Sequence, residues 1–142
     1  MILQDLNEDH SYEKLELPIS FQVGTKEIPA FTFIDNGCTS LTIHPRLVEW
    51  HNIPTRLLSQ SRQLFSAVDK STDIIITHET LPLRIKIGWH VEQVVFLVAK
   101  VRHNMILGLP WLRLHNPQVD WRVGTVTFRD VPPASNIVYL HQ

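Results

Sequence analysis

The residues best placed to do chemistry are Asp35-Asn36-Gly37-Cys38, which follow the apolar run Phe31-Thr32-Phe33-Ile34. A strand of that composition is normally buried, and a buried carboxylate is costly unless hydrogen bonds or a partner charge hold it. Asp35 is therefore either a structural cap or a reacting group. An Asp-x-Gly taken alone is ordinarily a turn. This one also precedes the β-prone Ser40-Leu41-Thr42-Ile43 and is answered by a second strand-to-glycine turn, Met105-Ile106-Leu107-Gly108, that runs into Leu109-Pro110-Trp111-Leu112.

Other chemistries find less support. Histidines stand at 10, 44, 51, 78, 90, 103, 115 and 141. No two have the i, i+4 helical spacing of a metalloprotease and no second cysteine exists, so neither metal nor cofactor is expected. Cys38 with His44 as its base is a conceivable nucleophile pair, but nothing local orients the two, and Cys38 reads as a small apolar filler. The five glycines, at 24, 37, 88, 108 and 124, are too dispersed for a phosphate loop. Trp50, Trp89, Trp111 and Trp121 have no basic groove beside them and read as packing residues rather than a stacking platform.

The elements that must position Asp35 are mostly strands. Leu15, Leu17, Ile19, Phe21 and Val23 alternate with polar or proline positions up to Gly24-Thr25-Lys26, and a second arm runs from Glu27 to Asp35. That is a hairpin, with Pro18 and Pro29 marking edge portions. Pro45 suits the first turn of a helix over 45–51, which Asn52-Ile53-Pro54 ends. Leu64 to Val68 and Ile74 to Thr77 form a second hairpin around the polar tip Asp69 to Asp73. Leu83, Ile85 and Ile87 open a third hairpin through Gly88-Trp89-His90, and Val94 to Val98 is expected as one continuous buried strand. A short helix with Pro110 near its start is closed by His115-Asn116-Pro117. Val119-Asp120-Trp121 and Thr125 to Phe128 then flank a last turn. Short strands at such spacing imply an all-β, barrel-like domain with one or two short helices.

Bulk properties narrow the partners. The 142 residues suit one domain, with residues 1–13 as a tail, 14–130 as the domain and 131–142 as a tail, linker or docked strand. Thirteen basic against 14 acidic residues leave no electrostatic footprint for nucleic acid or an anionic membrane surface. No stretch approaches the roughly 18 apolar residues of a membrane span. A single cysteine fits a reducing compartment, so a soluble, intracellular, cytoplasmic protein is expected.

Phe33-Ile34-Asp35-Asn36-Gly37-Cys38-Thr39, followed by His44-Pro45-Arg46-Leu47-Val48, Ile53-Pro54, Leu81-Pro82-Leu83 and Ile87-Gly88, resembles the retropepsin-like aspartic proteases. The most specific part is Ile106-Leu107-Gly108-Leu109-Pro110-Trp111-Leu112 with His115-Asn116-Pro117 and Val119-Asp120-Trp121 behind it, which is most similar to the enzymes of Ty3/gypsy-type long-terminal-repeat retrotransposons. The resemblance spans residues 15 to 130. It implies an acid-protease barrel with one half-site per chain, catalytic Asp35 in the turn Asn36-Gly37-Cys38, and Ile106-Leu107-Gly108 as the supporting strand and turn. It also implies a substrate-covering flap over roughly Phe65 to Ile76, including Val68-Asp69-Lys70-Ser71-Thr72-Asp73, with its tip at Asp69 to Asp73. The implied substrate is an extended peptide within a retroelement Gag-Pol polyprotein, with virus-like particles as one setting.

Aspartic proteolysis needs two carboxylates sharing a proton. Asp35 is the chain's one Asp-x-Gly aspartate, so an active protein is a twofold homodimer with Asp35 from each copy meeting on the axis. Two departures from the family pattern stand out. Asn36 occupies the position of a Ser or Thr whose hydroxyl braces the two turns, and Asp69-Lys70 replaces a frequent Asp-Gly at the flap tip. These departures motivate the alternative of a domesticated or inactive retropepsin-like module that dimerises or binds peptides.

Overall fold

The computed structural model describes residues 16–64, 74–129 and 137–141. The chain opens with β1 (Glu16–Val23) and β2 (Lys26–Asp35), paired antiparallel from Glu16↔Phe33 to Val23↔Lys26 around a two-residue turn. Alternation decides the faces of β1: Leu17, Ile19 and Phe21 are buried, while Pro18 and Gln22 are exposed. Beyond this hairpin, β1 is paired on its other side at Ser20 and Phe21, and β2 on its other side from Phe33 to Asp35. Among the described residues no strand pairs with Pro18 or Pro29 on the outer side of the hairpin, so their missing N–H groups interrupt no ladder there.

The next elements are β3 (Thr42–Ile43), α1 (Pro45–His51), β4 (Thr55–Leu64), β5 (Ile74–Thr80), β6 (Leu83–Ile87), β7 (His90–Val94), β8 (Leu97–Val98), β9 (Met105–Gly108) and α2 (Leu109–His115). Both helices carry proline in the first turn and end on an asparagine in the left-handed region, Asn52 (φ 54°) and Asn116 (φ 42°), which tolerates it better than most side chains. A nine-stranded sheet runs β4-β5-β8-β3-β9-β2-β1-β6-β7. A smaller antiparallel sheet combines β10 (Gln118–Asp120), β11 (Thr125–Thr127) and β12 (Ile137–Tyr139). The fold is mostly β with two short helices among the described residues, and neither helix is long and apolar enough to cross a membrane.

Two expectations need correcting. Val94 to Val98 is not one strand: Val94 ends β7 against Leu83, Val95 and Phe96 pass between, and Leu97–Val98 pairs with Thr42–Ile43. The run is not buried throughout either: Val94 and Leu97 are buried on two strands in different parts of the sheet and Phe96 between them is buried too, while Val95 is exposed. The second hairpin also begins earlier, because β4 starts at Thr55 and pairs with β5 from Thr55↔Thr80, with an irregularity between Leu57 and Arg62.

Strand β9 is buried at all four residues and divides the core. Met105 and Leu107 join the main cluster with Leu17, Phe21, Ile85 and Trp111, whereas Ile106 joins Phe33, Cys38, Ile76, Leu97 and Ala99 in a second one. Residues 137–141 return to the body of the domain: Val138 and Leu140 are buried in the main cluster, and the His141 N–H donates to the Glu16 carbonyl at 2.6 Å.

Candidate active site

Asp35 is the last residue of β2, and its position is set by β9. The two strands are parallel with Phe33↔Ile106, Ile34↔Leu107 and Asp35↔Gly108 as partners. On its other side β9 pairs antiparallel with β3 through Thr42↔Ile106 and Ile43↔Met105. The chain therefore leaves β2 on one flank of β9, crosses its end as residues 36–41, and comes back on the other flank. Residues more than seventy apart in sequence are joined by main-chain pairing at the point where the carboxylate emerges.

That crossing explains why β9 ends in glycine. A Cβ at Gly108 would stand 2.2 Å from the Ser40 carbonyl oxygen and 2.5 Å from that of Cys38, both main-chain atoms with little room to yield. The Leu109 N–H, at the start of α2, donates to the Cys38 carbonyl at 2.8 Å and ties the helix to the same crossing. Within the turn, the Gly37 N–H donates to Asp35 Oδ1 at 2.8 Å and the Cys38 N–H to the Asp35 carbonyl at 3.2 Å. Asp35 is half-buried and Asn36 exposed in the single chain. A carboxylate with one fixed donor and one accessible side can take part in proton transfer, given a second acid.

Asp120 is the other aspartate among the described residues, and it is occupied as a cap: its Oδ1 accepts from the N–H groups of Arg122 (3.0 Å) and Val123 (3.4 Å). No residue described here forms a carboxylate pair with Asp35.

Cys38 is buried, and its thiol donates to the Ser40 carbonyl at 3.4 Å. Burial pushes its pKa up and the Asp35 charge adds to this, outweighing the opposing Ser40 hydrogen bond. A thiol held protonated is a poor nucleophile. His44, the base weighed for it, caps α1 instead, its Nδ1 accepting the Arg46 N–H at 3.0 Å. The structure does not bring the two together as a catalytic pair.

One neighbour of the site carried no sequence signal. The His103 ring stacks on Phe33 at 4.0 Å between centroids and 7° between planes. Burial, with Arg102 second, lowers its pKa, against a weaker upward pull from Glu16 and Asp35. Period-2 and helical patterns rank faces within one element. They do not show that a loop residue two places before β9 reaches a side chain of β2.

Of the residues singled out from the sequence, Asp35, Asn36, Gly37 and Cys38 form one turn, and Ile106-Leu107-Gly108 supports it from the adjacent strand. The flap residues Val68-Asp69-Lys70-Ser71-Thr72-Asp73 lie outside the described residues, and of that hairpin the described part is β4 and β5.

With this geometry in hand, two comparisons bear on the chain. The family model of the PEG10/RTL1 protease domain matches residues 31–133. The crystal structure of the retroviral protease-like domain of Ddi1 from Leishmania major superposes with a TM-score of 0.60 at 14% identity, over 91% of this chain and 94% of that one. At that identity the likeness establishes a shared retropepsin-like fold.

Proposed function

Because the chain belongs to the PEG10/RTL1 protease-domain family, we propose that it is an aspartic endopeptidase that works as a homodimer, with Asp35 of each copy forming one carboxylate dyad. The observation that carries this is the Asp35 turn itself: a half-exposed carboxylate with Gly37 N–H on one oxygen, register-locked to Gly108 at the end of two parallel strands. In the dyad, like-charge repulsion keeps one proton shared between the two acids. The ionised carboxylate takes a proton from water as its oxygen attacks the peptide carbonyl carbon, and the protonated partner donates to the carbonyl oxygen. As the tetrahedral intermediate collapses, the C–N bond breaks and one carboxyl donates its proton to the departing amine nitrogen. The other carboxylate takes a proton from a gem-diol hydroxyl, which restores the singly protonated dyad.

An extended substrate would lie across both turns, covered by a flap from residues 68–73 of each copy that adds backbone hydrogen bonds in the manner of an extra strand. The substrate class is a polyprotein of the Gag-Pol kind from a Ty3/gypsy-type retroelement, processed in the cytoplasm or in virus-like particles. Neither nucleic acid nor a membrane takes part.

Exposed Asn36 at the apex of the turn favours a second reading, a domesticated module that dimerises or binds peptides without efficient hydrolysis. One experiment separates the two. Wild type and Asp35→Asn are compared for cleavage of a Gag-derived protein between about pH 5 and pH 7, with sedimentation in parallel. Cleavage by the wild type alone supports the enzyme. Equal cleavage by both removes Asp35 from the chemistry, a dimer that binds without cutting supports the module, and a strict monomer at high concentration removes the dyad.

A further inference from the structure

A second group of chemically capable side chains lies on β7 and α2. His90 and Glu92 are two residues apart on β7, so their side chains share a face. His115 is the last residue of α2, one turn beyond Trp111 on the same helical face. His90 Nε2 stands 2.6 Å and His115 Nε2 2.9 Å from the same oxygen, Glu92 Oε2, and one ligand atom from each residue lies within 4.8 Å of the others. Trp111 Nε1–H donates to that oxygen as well, at 2.9 Å.

The group has one unmet demand. Glu92 Oε2 already accepts from His90 and Trp111, and His115 Nε2, though close, makes no hydrogen bond and is shut off from solvent. A buried ring nitrogen without a partner is unfavourable. If it carries a lone pair, that pair faces a carboxylate oxygen. A cation between the three atoms would satisfy all of them at once.

We propose that His90, Glu92 and His115 form a binding site for a divalent cation of the zinc class. Two imidazole nitrogens and one carboxylate oxygen are a donor set this class accepts, with a fourth position left for water. Tetrahedral ligands about 2.0–2.1 Å from a zinc ion stand roughly 3.3 Å apart, so the nitrogen–oxygen contacts of 2.6 Å at His90 and 2.9 Å at His115 need open by about 0.7 and 0.4 Å. The surroundings suit a held ligand set. Trp111 fixes the carboxylate from outside, and Phe128 stacks on the His90 ring at 4.4 Å and 5°. Partial exposure of His115, at 16% of its side chain, leaves a way in. Bound there, the ion would join the β6–β7 hairpin to α2, the helix that begins one residue after Gly108, the register partner of Asp35. Spacing rules for metal sites within one helix miss this set because its nitrogen ligands lie on different elements.

The test uses the tag-free full chain, stripped with chelator and titrated with Co2+ alone, then with Zn2+ in competition. The expected result is one equivalent of Co2+ with the intense visible absorption of a four-coordinate ion, displaced by Zn2+. His115→Ala should weaken binding by at least about tenfold, His115→Gln should do the same, and His115→Cys, which restores a ligand, should recover most of it. His78→Ala, at a half-buried histidine on β5, should change nothing. One equivalent of Zn2+ should also raise the melting temperature of the wild type and not that of His115→Gln. No stoichiometric binding by the wild type, equal binding by His115→Gln, or loss in His78→Ala would each overturn the proposal.

Discussion

Asp35 and Gly108 face each other across parallel strands from distant parts of the chain, and the crossing loop between β2 and β3 packs its Ser40 and Cys38 carbonyls against the bare α-carbon of Gly108. The glycine's lack of a side chain, rather than an unusual φ, is what the crossing needs. Gly108→Ala should therefore cost about 2–3 kcal/mol, since the added methyl meets main-chain atoms that cannot rotate away. Urea denaturation of the two proteins measures this, and a change under about 0.5 kcal/mol would show that the loop shifts freely.

Much of this neighbourhood was legible because its signals are local. Alternation from Leu17 to Phe21 marked the β1 face, and proline at the start with Asn52 or Asn116 at the end marked both helices. The turn at Asp35 followed from an apolar run meeting Asp-x-Gly. Strand β4 was only partly legible because its residues 55–63 are largely exposed and polar, with no alternating apolar face to betray it. The division of Val94 to Val98 between two strands, the stacking of His103 on Phe33, and the meeting of His90, Glu92 and His115 all depend on long-range placement. Periodicity reports which face of an element is buried, but not against what.

Asn36 offers a test of how the turn pairs with a second copy. Its exposure in the single chain means that Asn36→Thr should leave monomer stability within about 0.5 kcal/mol. Two symmetry-related hydroxyl hydrogen bonds at about 1 kcal/mol each would tighten the proposed dimer by about tenfold or more. Sedimentation equilibrium reads the dimer constant, and peptide cleavage should rise with it at low protein concentration. An unchanged dimer constant would mean that this position does not brace the interface.

His103 should make stability fall in mild acid. Its pKa is lowered in the fold, first by burial and then by Arg102, so below its ordinary value the unfolded chain holds the proton more readily than the folded one. Stability from this group is complete above about pH 6.5 and declines as pH falls through the folded pKa. His103→Gln removes the titration. The difference in stability between wild type and His103→Gln should shift against the wild type between about pH 6.5 and pH 5, as read by denaturant unfolding at several pH values. A difference independent of pH would show that the ring is not titrating across this range.

Cys38 should be a slow thiol despite its place three residues from Asp35. It is buried in the cluster with Phe33 and Ile106, its proton is directed at the Ser40 carbonyl, and burial with the Asp35 charge holds its pKa up. Alkylation requires the thiolate and access to it, so reaction proceeds mainly through local opening of the turn. At about pH 8, labelling of the native chain should run at least tenfold slower than in denaturant, while an exposed thiol would react at comparable rates in both. Gly108→Ala, which forces the Cys38 and Ser40 carbonyls outward, should accelerate native-state labelling, because the same contacts that exclude a methyl from Gly108 keep the thiol covered. Labelling that is slow in the wild type and fast in Gly108→Ala, with both proteins folded by circular dichroism, would tie the closure of the turn to the Asp35–Gly108 pairing.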